Sequence, residues 1–594
     1  MTHVQAPPIR VLPPQVAAHI AAGEVIERPV SVVRELMDNA IDAGSARVTI
    51  ETEDGGVTLI RVTDDGRGIP PGDLELAFER HATSKIEDLS GLGHVRTLGF
   101  RGEALPSIAA AADVEVLSRS AGEPVGVQVT LVGARAVRRS ARAAPVGTAF
   151  TVRELFGQLP ARRKFLGSTA AESRAITTLV SHYALAYPQI AFQLVSGGRR
   201  VISTAGDGDL RHAFAAVHGA ATAAAMLAVD HVEAAVRVSG LAGPPGVHRG
   251  NRAAISVFIN GRWVQSRPLV FAIVDAYEGQ LPIGRHPVAA LHVRLDDEDV
   301  DVNVHPAKAE VRLRDERGVA RAVRHSVMAA LEGARPVSWL DPGPPNGTHE
   351  GVGLPAPSLA PSPTLRARLE PPVVPALRGP QPVQARMDWS QGTPPATRSA
   401  HREVLPLLRV VGQVGLTYII AEGPDGMYLI DQHAAHERVV YDRIVAQRAA
   451  AGAPATQPLL EPELLELDAL QAATAAEYAD HLAGLGLGLE PFGERGYLVR
   501  AVPAGVGGTG VVSALRSLLD QLAGERRVAD PFARAAATVA CHGSVRAGTA
   551  MALEEMRALI EDLARTGSPR TCPHGRPTLV HVGADAIERQ FGRR

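Results

Sequence analysis

Apolar residues recur at helical spacing along residues 29–43, where Val33, Leu36, Met37, Ala40 and Ile41 form one stripe. Pro29 stands at a favoured first helical position and Gly44 lies just past the end, so the spacing predicts a helix over 29–43. A second helix is expected over 15–27, and segments 46–52, 57–63 and 113–119 have strand character. Together these give an α+β pattern. The stretch 213–229 is Ala-rich and interrupted by His218, Gly219 and Thr222, which suits a soluble helix better than a membrane span. Residues 335–400 carry 15 of the 44 prolines and no sustained periodicity, so they read as a flexible, extended linker. The linker leaves room for two domains before it and one after it. Beyond it, residues 427–430 read as a buried strand entering a helix for which Asp431 is a natural cap.

Composition adds limits. The chain has 594 residues, too many for one hydrophobic core, and 45% hydrophobic and 21% charged residues argue against disorder over most of its length. A net charge of −2 does not indicate a uniformly basic nucleic-acid binder, although runs such as Arg135-Ala136-Val137-Arg138-Arg139 and Ala161-Arg162-Arg163-Lys164 offer local phosphate contacts. Residues 1–10 show no secretory pattern, and two cysteines make no disulfide framework, so a reducing cytoplasm is expected. Lysine appears only at Lys85, Lys164 and Lys308 among 61 basic residues. In a chain that prefers the forked guanidinium, each retained point-charge ammonium is a candidate for a crowded site.

Glu35, Asn39 and Asp42 sit at i, i+4 and i+7, so one face of the 29–43 helix presents a carboxylate, an amide and a second carboxylate. The strand after it ends in Asp64-Asp65-Gly66-Arg67-Gly68, where glycines permit close backbone approach and an Asp accepts from an exocyclic amine such as that of adenine. His81-Ala82-Thr83-Ser84-Lys85 follows, then a Gly-containing stretch, then Gly99-Phe100-Arg101-Gly102-Glu103-Ala104-Leu105 entering an apolar helix whose free amides suit phosphate. No Gly-Lys-Ser/Thr loop is present, so a P-loop reading fails.

These motifs resemble the ATPase superfamily that contains gyrase, Hsp90, histidine kinases and MutL. The chain looks most like the MutL mismatch-repair ATPases, through residues 15–26, Arg34-Glu35-Leu36-Met37-Asp38-Asn39, His81 to Lys85 and Gly99 to Leu105. The resemblance implies that Glu35 is the general base, Asn39 coordinates Mg²⁺ and Asp64 reads adenine. Gly66, Gly68, Gly99 and Gly102 would shape an ATP pocket with Thr83, Ser84, Lys85, Glu103, Ala104, Leu105 and Thr148. Lys308, in Asn303-Val304-His305-Pro306-Ala307-Lys308, would reach the γ-phosphate from the second domain, where Phe258-Ile259-Asn260-Gly261-Arg262 also matches. Departures are Phe156-Gly157-Gln158-Leu159-Pro160 in place of Phe-Tyr-Asn-Thr-Pro and Asp65 in place of Asn. The implied architecture is a Bergerat-type ATPase sandwich over 1–215, a ribosomal-S5-like β-α domain over 216–334, the linker over 335–404 and an α/β dimerisation and metal domain over 405–594.

In the last segment, His433 and Glu437 share a helix face at a spacing suited to two metal ligands. The order His-x-x-His-Glu does not fit a metalloprotease helix. Cys541-His542 and Cys572-Pro573-His574 pair thiols with imidazoles, a combination that favours zinc over harder ions. These motifs resemble the DNA-nicking branch of the same family. By that resemblance Asp431, His433, Glu437, Cys541, His542, Cys572 and His574 surround Zn²⁺ or Mn²⁺, Phe591-Gly592-Arg593 is the terminal motif, and Asp442 stands where the family has Glu. Gln457-Pro458-Leu459-Leu460-Glu461-Pro462 resembles a sliding-clamp peptide in which Gln457, Leu459, Leu460 and Pro462 dock; a loop before a strand is the alternative. The expected protein is a cytoplasmic, nucleoid-associated, homodimeric mismatch-repair ATPase that meets DNA, a mismatch-recognition protein and the clamp, with a latent metal-dependent nicking activity. Two other readings are a non-nucleolytic matchmaker with a structural zinc, and a type II topoisomerase subunit, for which none of the eight tyrosines has supporting surroundings.

Overall fold

The computed structural model describes residues 26–85, 97–99, 102–282, 284–301, 311–333, 405–451, 454–504, 511–524, 530–542, 548–591 and 593. The linker expected over 335–404 and the segment carrying Lys308 lie outside them. So does the helix expected over 15–27, except Ile26 and Glu27, which are not helical.

Helix α1, Pro29–Asp42, has Pro at its start and buries Val32, Val33, Leu36, Met37 and Ala40. It ends where Gly44 takes φ +74°, a left-handed value that suits glycine. Strand β1 is Arg47–Glu53 and β2 is Leu59–Asp64. Helix α2 (Ala104–Ala111) precedes β3 (Asp113–Arg119), β4 (Gly126–Val132), β5 (Arg135–Arg142) and β6 (Gly147–Arg153). After helix α3 (Thr169–Ala186), strands β7 (Ala191–Ser196) and β8 (Arg199–Ser203) complete an eight-stranded sheet in the order β5-β4-β3-β6-β2-β1-β7-β8. Only the β1–β7 pairing is parallel; the rest are antiparallel. Period-two burial in β1 and β3 sends Val48, Ile50, Val114 and Val116 into one core with the inward stripe of α1 and with Phe150, Phe192 and Leu179. Arg28 and the fully buried Glu172 of α3 close this layer through two hydrogen bonds, at 3.1 and 3.0 Å.

The stretch 213–229 is not one helix. Helix α4, Leu210–His218, stops at Gly219, whose φ is +90°; a six-residue helix, Ala220–Ala225, follows, and the chain then enters β9, Leu227–Glu233. Alanine content concealed that break. Helix α4 also runs unbroken across residues 215 and 216. Strands β10 (Val236–Ala242), β11 (Ile255–Ile259), β12 (Arg262–Trp263) and β13 (Ala289–Arg294) make a second sheet in the order β12-β11-β13-β10-β9. Helices α5 (Arg267–Asp275) and α6 (Glu316–Gly333) bury Leu269, Ile273, Val323 and Val327 into its core.

The carboxy-terminal part holds β14 (Arg409–Val414), β15 (Tyr418–Gly423) and β16 (Gly426–Asp431), then helix α7 (Gln432–Ala451). Strand β17 (Thr456–Glu466), helix α8 (Ala469–Glu477), β18 (Gly488–Phe492), β19 (Gly496–Pro503), α9 (Val511–Gly524), α10 (Pro531–His542), α11 (Leu553–Arg565) and β20 (Leu579–Gly583) follow. They form a four-stranded sheet, β14-β15-β16-β20, and a three-stranded one, β17-β19-β18, with α7 packing against α10 and α11. No helix among the described residues is long and apolar enough to cross a membrane.

Helix α8 packs against α3, and polar pairs border the contact. Arg174 meets Glu477 at 2.6 Å, and Arg249 lies 3.6 Å from Asp468 and 3.7 Å from Asp520. Burial pushes the Asp520 carboxyl up to about 6, against Arg249 and a 2.8 Å hydrogen bond from Gln471 Nε2. A carboxyl raised on folding favours its protonated form, so its contribution is fully present below its ordinary pKa and is lost as pH rises through about 6. Asp520→Asn is therefore expected to stabilise the chain by roughly 2 kcal/mol at pH 7.5 and to change little near pH 4, read from unfolding curves at both pH values.

Candidate functional site

The last residue of β2 is a buried carboxylate. Asp64 Oδ1 accepts from the Gly66 amide at 2.9 Å and from Ser45 Oγ at 3.3 Å, while Ser45 Oγ also donates to the Ala40 carbonyl at 2.6 Å. Burial raises the Asp64 pKa, opposed by hydrogen bonds from Gly66, Ser45 and the Thr148 backbone. In the β2–β6 register Thr148 lies opposite Asp64, and its hydroxyl meets Ser118 Oγ at 2.9 Å. A side chain on Gly66 would strike Ser45 and Ala43, and one on Gly68, at φ +72°, would lie 2.2 Å from the Arg119 carbonyl oxygen. Asp64, Gly66, Gly68 and Thr148 are thus brought to one place, with a carboxylate at its floor.

Asp65 is one of the two departures from the motifs that carry the resemblance. Its Oδ1 accepts from the amides of Ala46 and Arg47, each at 2.8 Å. An amide oxygen supplies the same acceptor, so the exchange keeps the geometry. The other departure leaves Phe156 in the core, with its amide on the Ala111 carbonyl at 2.8 Å.

Glu35 and Asn39 are both half-buried, one turn apart on α1. Lys85 Nζ donates to Asn39 Oδ1 at 2.9 Å and to Asp42 Oδ2 at 2.6 Å. Asp42 also accepts from the amides of Leu98 (2.9 Å) and Gly99 (3.1 Å). The His81 amide donates to the Gly102 carbonyl at 3.1 Å, Lys85 N donates to Thr83 Oγ1, Ser84 is exposed, and Glu103 precedes α2, whose first residues are Ala104 and Leu105. An amide oxygen and a carboxylate facing one ammonium form a donor set that fits a hard cation such as Mg²⁺.

In the carboxy-terminal part, α7 presents His433 and Glu437, the end of α10 presents Cys541, and the turn after α11 presents Cys572 and His574. His433 Nε2 lies 3.1 Å and His574 Nδ1 3.6 Å from the two oxygens of Glu437. The ligand atoms of His433, Glu437 and Cys541 lie within 4.8 Å of one another, as do those of Glu437, Cys572 and His574. Glu437 therefore belongs to both groups. Burial raises its pKa, but hydrogen bonds from His433, His574 and Cys541 outweigh that and hold it well below the usual carboxylate range, while burial pushes the Cys541 thiol up. Nitrogen, carboxylate and thiol donors at this spacing fit a transition metal such as zinc.

Not every expected residue joins. Asp431 Oδ1 accepts from the amides of His433 (2.9 Å) and Ala434 (3.0 Å), capping α7. Asp442 is bound by Arg438 at 3.1 Å and by the Gly567 amide at 2.7 Å. The His542 side chain and Gly592 lie outside the described residues. Gln457, Leu459, Leu460 and Pro462 lie within β17 rather than in a loop before it, where the pairing with β19 is irregular between Pro458 and Glu463; Leu460 is fully exposed, and Leu459 packs on the core.

Comparison with known proteins gives three family matches: the histidine kinase-, DNA gyrase B- and HSP90-like ATPase over residues 24–131, the DNA mismatch repair protein C-terminal domain over 214–332, and the MutL C-terminal dimerisation domain over 411–551. The DNA mismatch repair protein MutL of Desulforudis audaxviator is 41% identical over 589 residues, covering 98% of this chain and 99% of that protein. The chain belongs to the MutL family. The MutL proteins of Phenylobacterium zucineum (41% identical, 99% of this chain and 100% of that protein) and Symbiobacterium thermophilum (38%, 98% and 100%) agree with it over the full length. As a MutL protein it serves DNA mismatch repair with an ATPase domain, which implies ATP and Mg²⁺ binding, and with a dimerisation domain that supports a homodimer.

Sequence reasoning placed Asp42 on the same face of α1 as Glu35 and Asn39 without seeing that it binds both Lys85 and the Leu98 and Gly99 amides. The available signal was an acid at the last residue of a helix, where the helix dipole disfavours one. Ser45 and Ser118 were missed because single polar residues carry no pattern; Arg262 was named within the Phe258–Arg262 motif, but not its guanidinium's 2.6 Å hydrogen bond to the Thr97 carbonyl. Asp65→Asn is expected to leave the melting temperature unchanged, whereas Asp65→Ala frees two amides and lowers stability by about 1 kcal/mol in the same thermal unfolding measurement.

Proposed function

We propose that this MutL protein couples ATP hydrolysis at α1 to a metal-dependent nicking activity in its carboxy-terminal domain. Glu35 is the general base that takes a proton from the attacking water. Asn39 and Asp42 hold Mg²⁺, which supplies charge neutralisation on the phosphates. Asp64 accepts from the adenine amine, Thr148 lies beside it, and Gly66, Gly68, Gly99 and Gly102 let the backbone close on the nucleotide with Thr83, Ser84, Lys85, Glu103, Ala104 and Leu105. Lys308 completes the site from the second domain. The divisions 1–215, 216–334, 335–404 and 405–594 follow the same reading.

The observation that carries the nicking proposal is Glu437, whose two oxygens face two separate ligand groups. A shared carboxylate suits a pair of ions that would orient a water and stabilise a phosphodiester transition state. His433, Cys541, His542, Cys572 and His574 would hold Zn²⁺ or Mn²⁺. Exposed Leu460 and the irregular pairing of β17 support clamp docking by Gln457, Leu459, Leu460 and Pro462, and a mismatch-recognition protein would load the dimer onto DNA in the cytoplasm, at the nucleoid. One observation favours the matchmaker alternative with a structural zinc: Asp431 and Asp442 are both engaged away from the ligand groups.

Glu35→Ala is expected to slow ATP hydrolysis about 10²- to 10³-fold in a phosphate-release assay while nucleotide binding persists. Wild-type protein with Mn²⁺ should nick supercoiled plasmid, and Glu437→Gln should lose both nicking and bound metal by elemental analysis. Stoichiometric metal with intact ATPase and no nicking would leave the matchmaker. Replacing Leu459 and Leu460 together by Ala should abolish retention on immobilised sliding clamp without altering ATP hydrolysis.

A further inference from the structure

We propose that Ser118 sets the base selectivity of the nucleotide site: its hydroxyl donates to Thr148 Oγ1 and thereby turns the Thr148 proton toward the base, so that Asp64 and Thr148 present an acceptor beside a donor. That pair takes adenine and refuses a 6-oxopurine. The inference rests on reading Asp64 as the residue that accepts from the adenine amine.

Strand register builds the row. Thr148 of β6 lies opposite Asp64 of β2 on one side and opposite Ser118 of β3 on the other. Residues directly opposite in antiparallel strands point to one face of a sheet, so the three side chains stand side by side, and all three are buried. Ser118 Oγ accepts from the Ile69 amide at 2.8 Å and lies 2.9 Å from Thr148 Oγ1 and 3.1 Å from the Gly147 carbonyl oxygen.

A hydroxyl has one proton and two acceptor lone pairs. With the Ser118 proton on the Gly147 carbonyl, Thr148 becomes the donor in the 2.9 Å contact and shows the pocket only lone pairs. With that proton on Thr148, the Thr148 proton is left for the ligand. Thr148 Oγ1 is the nearer of the two acceptors, and hydroxyl donors prefer the shorter distance. The chemistry of the base points the same way. The Watson–Crick edge of adenine carries an amine donor next to the N1 acceptor, whereas a 6-oxopurine carries a carbonyl acceptor next to an N1–H donor. An accepting Asp64 beside a donating Thr148 matches the first edge and opposes the second at both atoms.

Ser118 touches no ligand in this scheme and is a positioning residue. The turn that carries Gly66 and Gly68 keeps its place without it, because Gly68 approaches β3 so closely that a side chain there would lie 2.2 Å from the Arg119 carbonyl oxygen.

The test uses the full-length chain with Mg²⁺ and measures displacement of a fluorescent ATP analogue by ADP and by IDP, read by anisotropy. Ser118→Ala should cut the preference for ADP over IDP roughly three- to tenfold, mainly through weaker ADP binding, and Ser118→Thr, which keeps the hydroxyl, should stay within about twofold of wild type. Ser118→Cys, whose thiol donates weakly, should fall between them. Thr148→Val should cut the preference as far as Ser118→Ala does, and the double variant no further, because one residue acts through the other. An equal loss of both nucleotides in Ser118→Ala and Ser118→Cys, with the preference unchanged, overturns the proposal, as does an additive double variant. Partial destabilisation does not mimic the expected result, because the readout is a ratio taken on protein that binds nucleotide. Asp64→Asn places an amide donor within reach of a 6-oxo group and should itself erode the preference. A preference that survives Asp64→Asn, or that is missing in wild type, defeats the adenine reading of the pocket instead.

Discussion

The buried carboxylate at the end of β2 ties together the elements of the candidate nucleotide site. Asp64 costs desolvation, and that cost is met by the Gly66 amide and by Ser45, whose hydroxyl also reaches the Ala40 carbonyl in the last turns of α1. One small cluster thus ties the end of the helix to the end of the strand. The direction in which Glu35, Asn39 and Asp42 face follows from it, because a helix fixed at its carboxyl end by Ser45 and along its length by Val33, Leu36 and Met37 has no freedom to roll. The contacts of Lys85, Leu98 and Gly99 with Asn39 and Asp42 have a target because α1 is oriented in this way.

The carboxy-terminal ligand groups repeat the logic with different chemistry. Glu437 is buried and ionised among two imidazoles and a thiol, a state that an isolated carboxylate would not keep. Its helix begins where Asp431 caps the first amides, and Asp442 anchors the same helix to Gly567 farther along. Acids that resemble a metal shell in sequence therefore divide into one that faces the ligands and two that hold their scaffold.

Residues with a periodic or dense local signature were legible in the chain. Pro29, the stripe of α1, Gly44 and the strand character of β1 to β3 marked their elements to within a residue or two, and Asp64-x-Gly-x-Gly, Cys541 and Cys572-Pro573-His574 marked residues that the structure gathers into the two candidate sites. What was not legible depends on long-range approach. The pairing of Arg28 with Glu172 spans 144 positions, and the grip of Arg262 on Thr97 spans 165. Gly219 was visible as an interruption of the 213–229 stretch, but alanine suits a helix on either side of it, and the full stop there rests on its left-handed φ. The segment 457–462, for which a loop before a strand was the alternative reading, lies inside β17, where the irregular pairing admits Pro458 and Pro462.

Among the described residues β5 and β8 are the edge strands of the eight-stranded sheet, and both carry arginine. Strand β5 exposes Arg135, Arg138, Arg139 and Arg142, and β8 exposes Arg199 and Arg200, which meet the Gly493 carbonyl and the Glu494 carboxylate. An unpaired sheet edge is a template for another chain, and rows of like charge repel a second copy laid against it. Like charge along these strands thereby works against strand addition at this sheet.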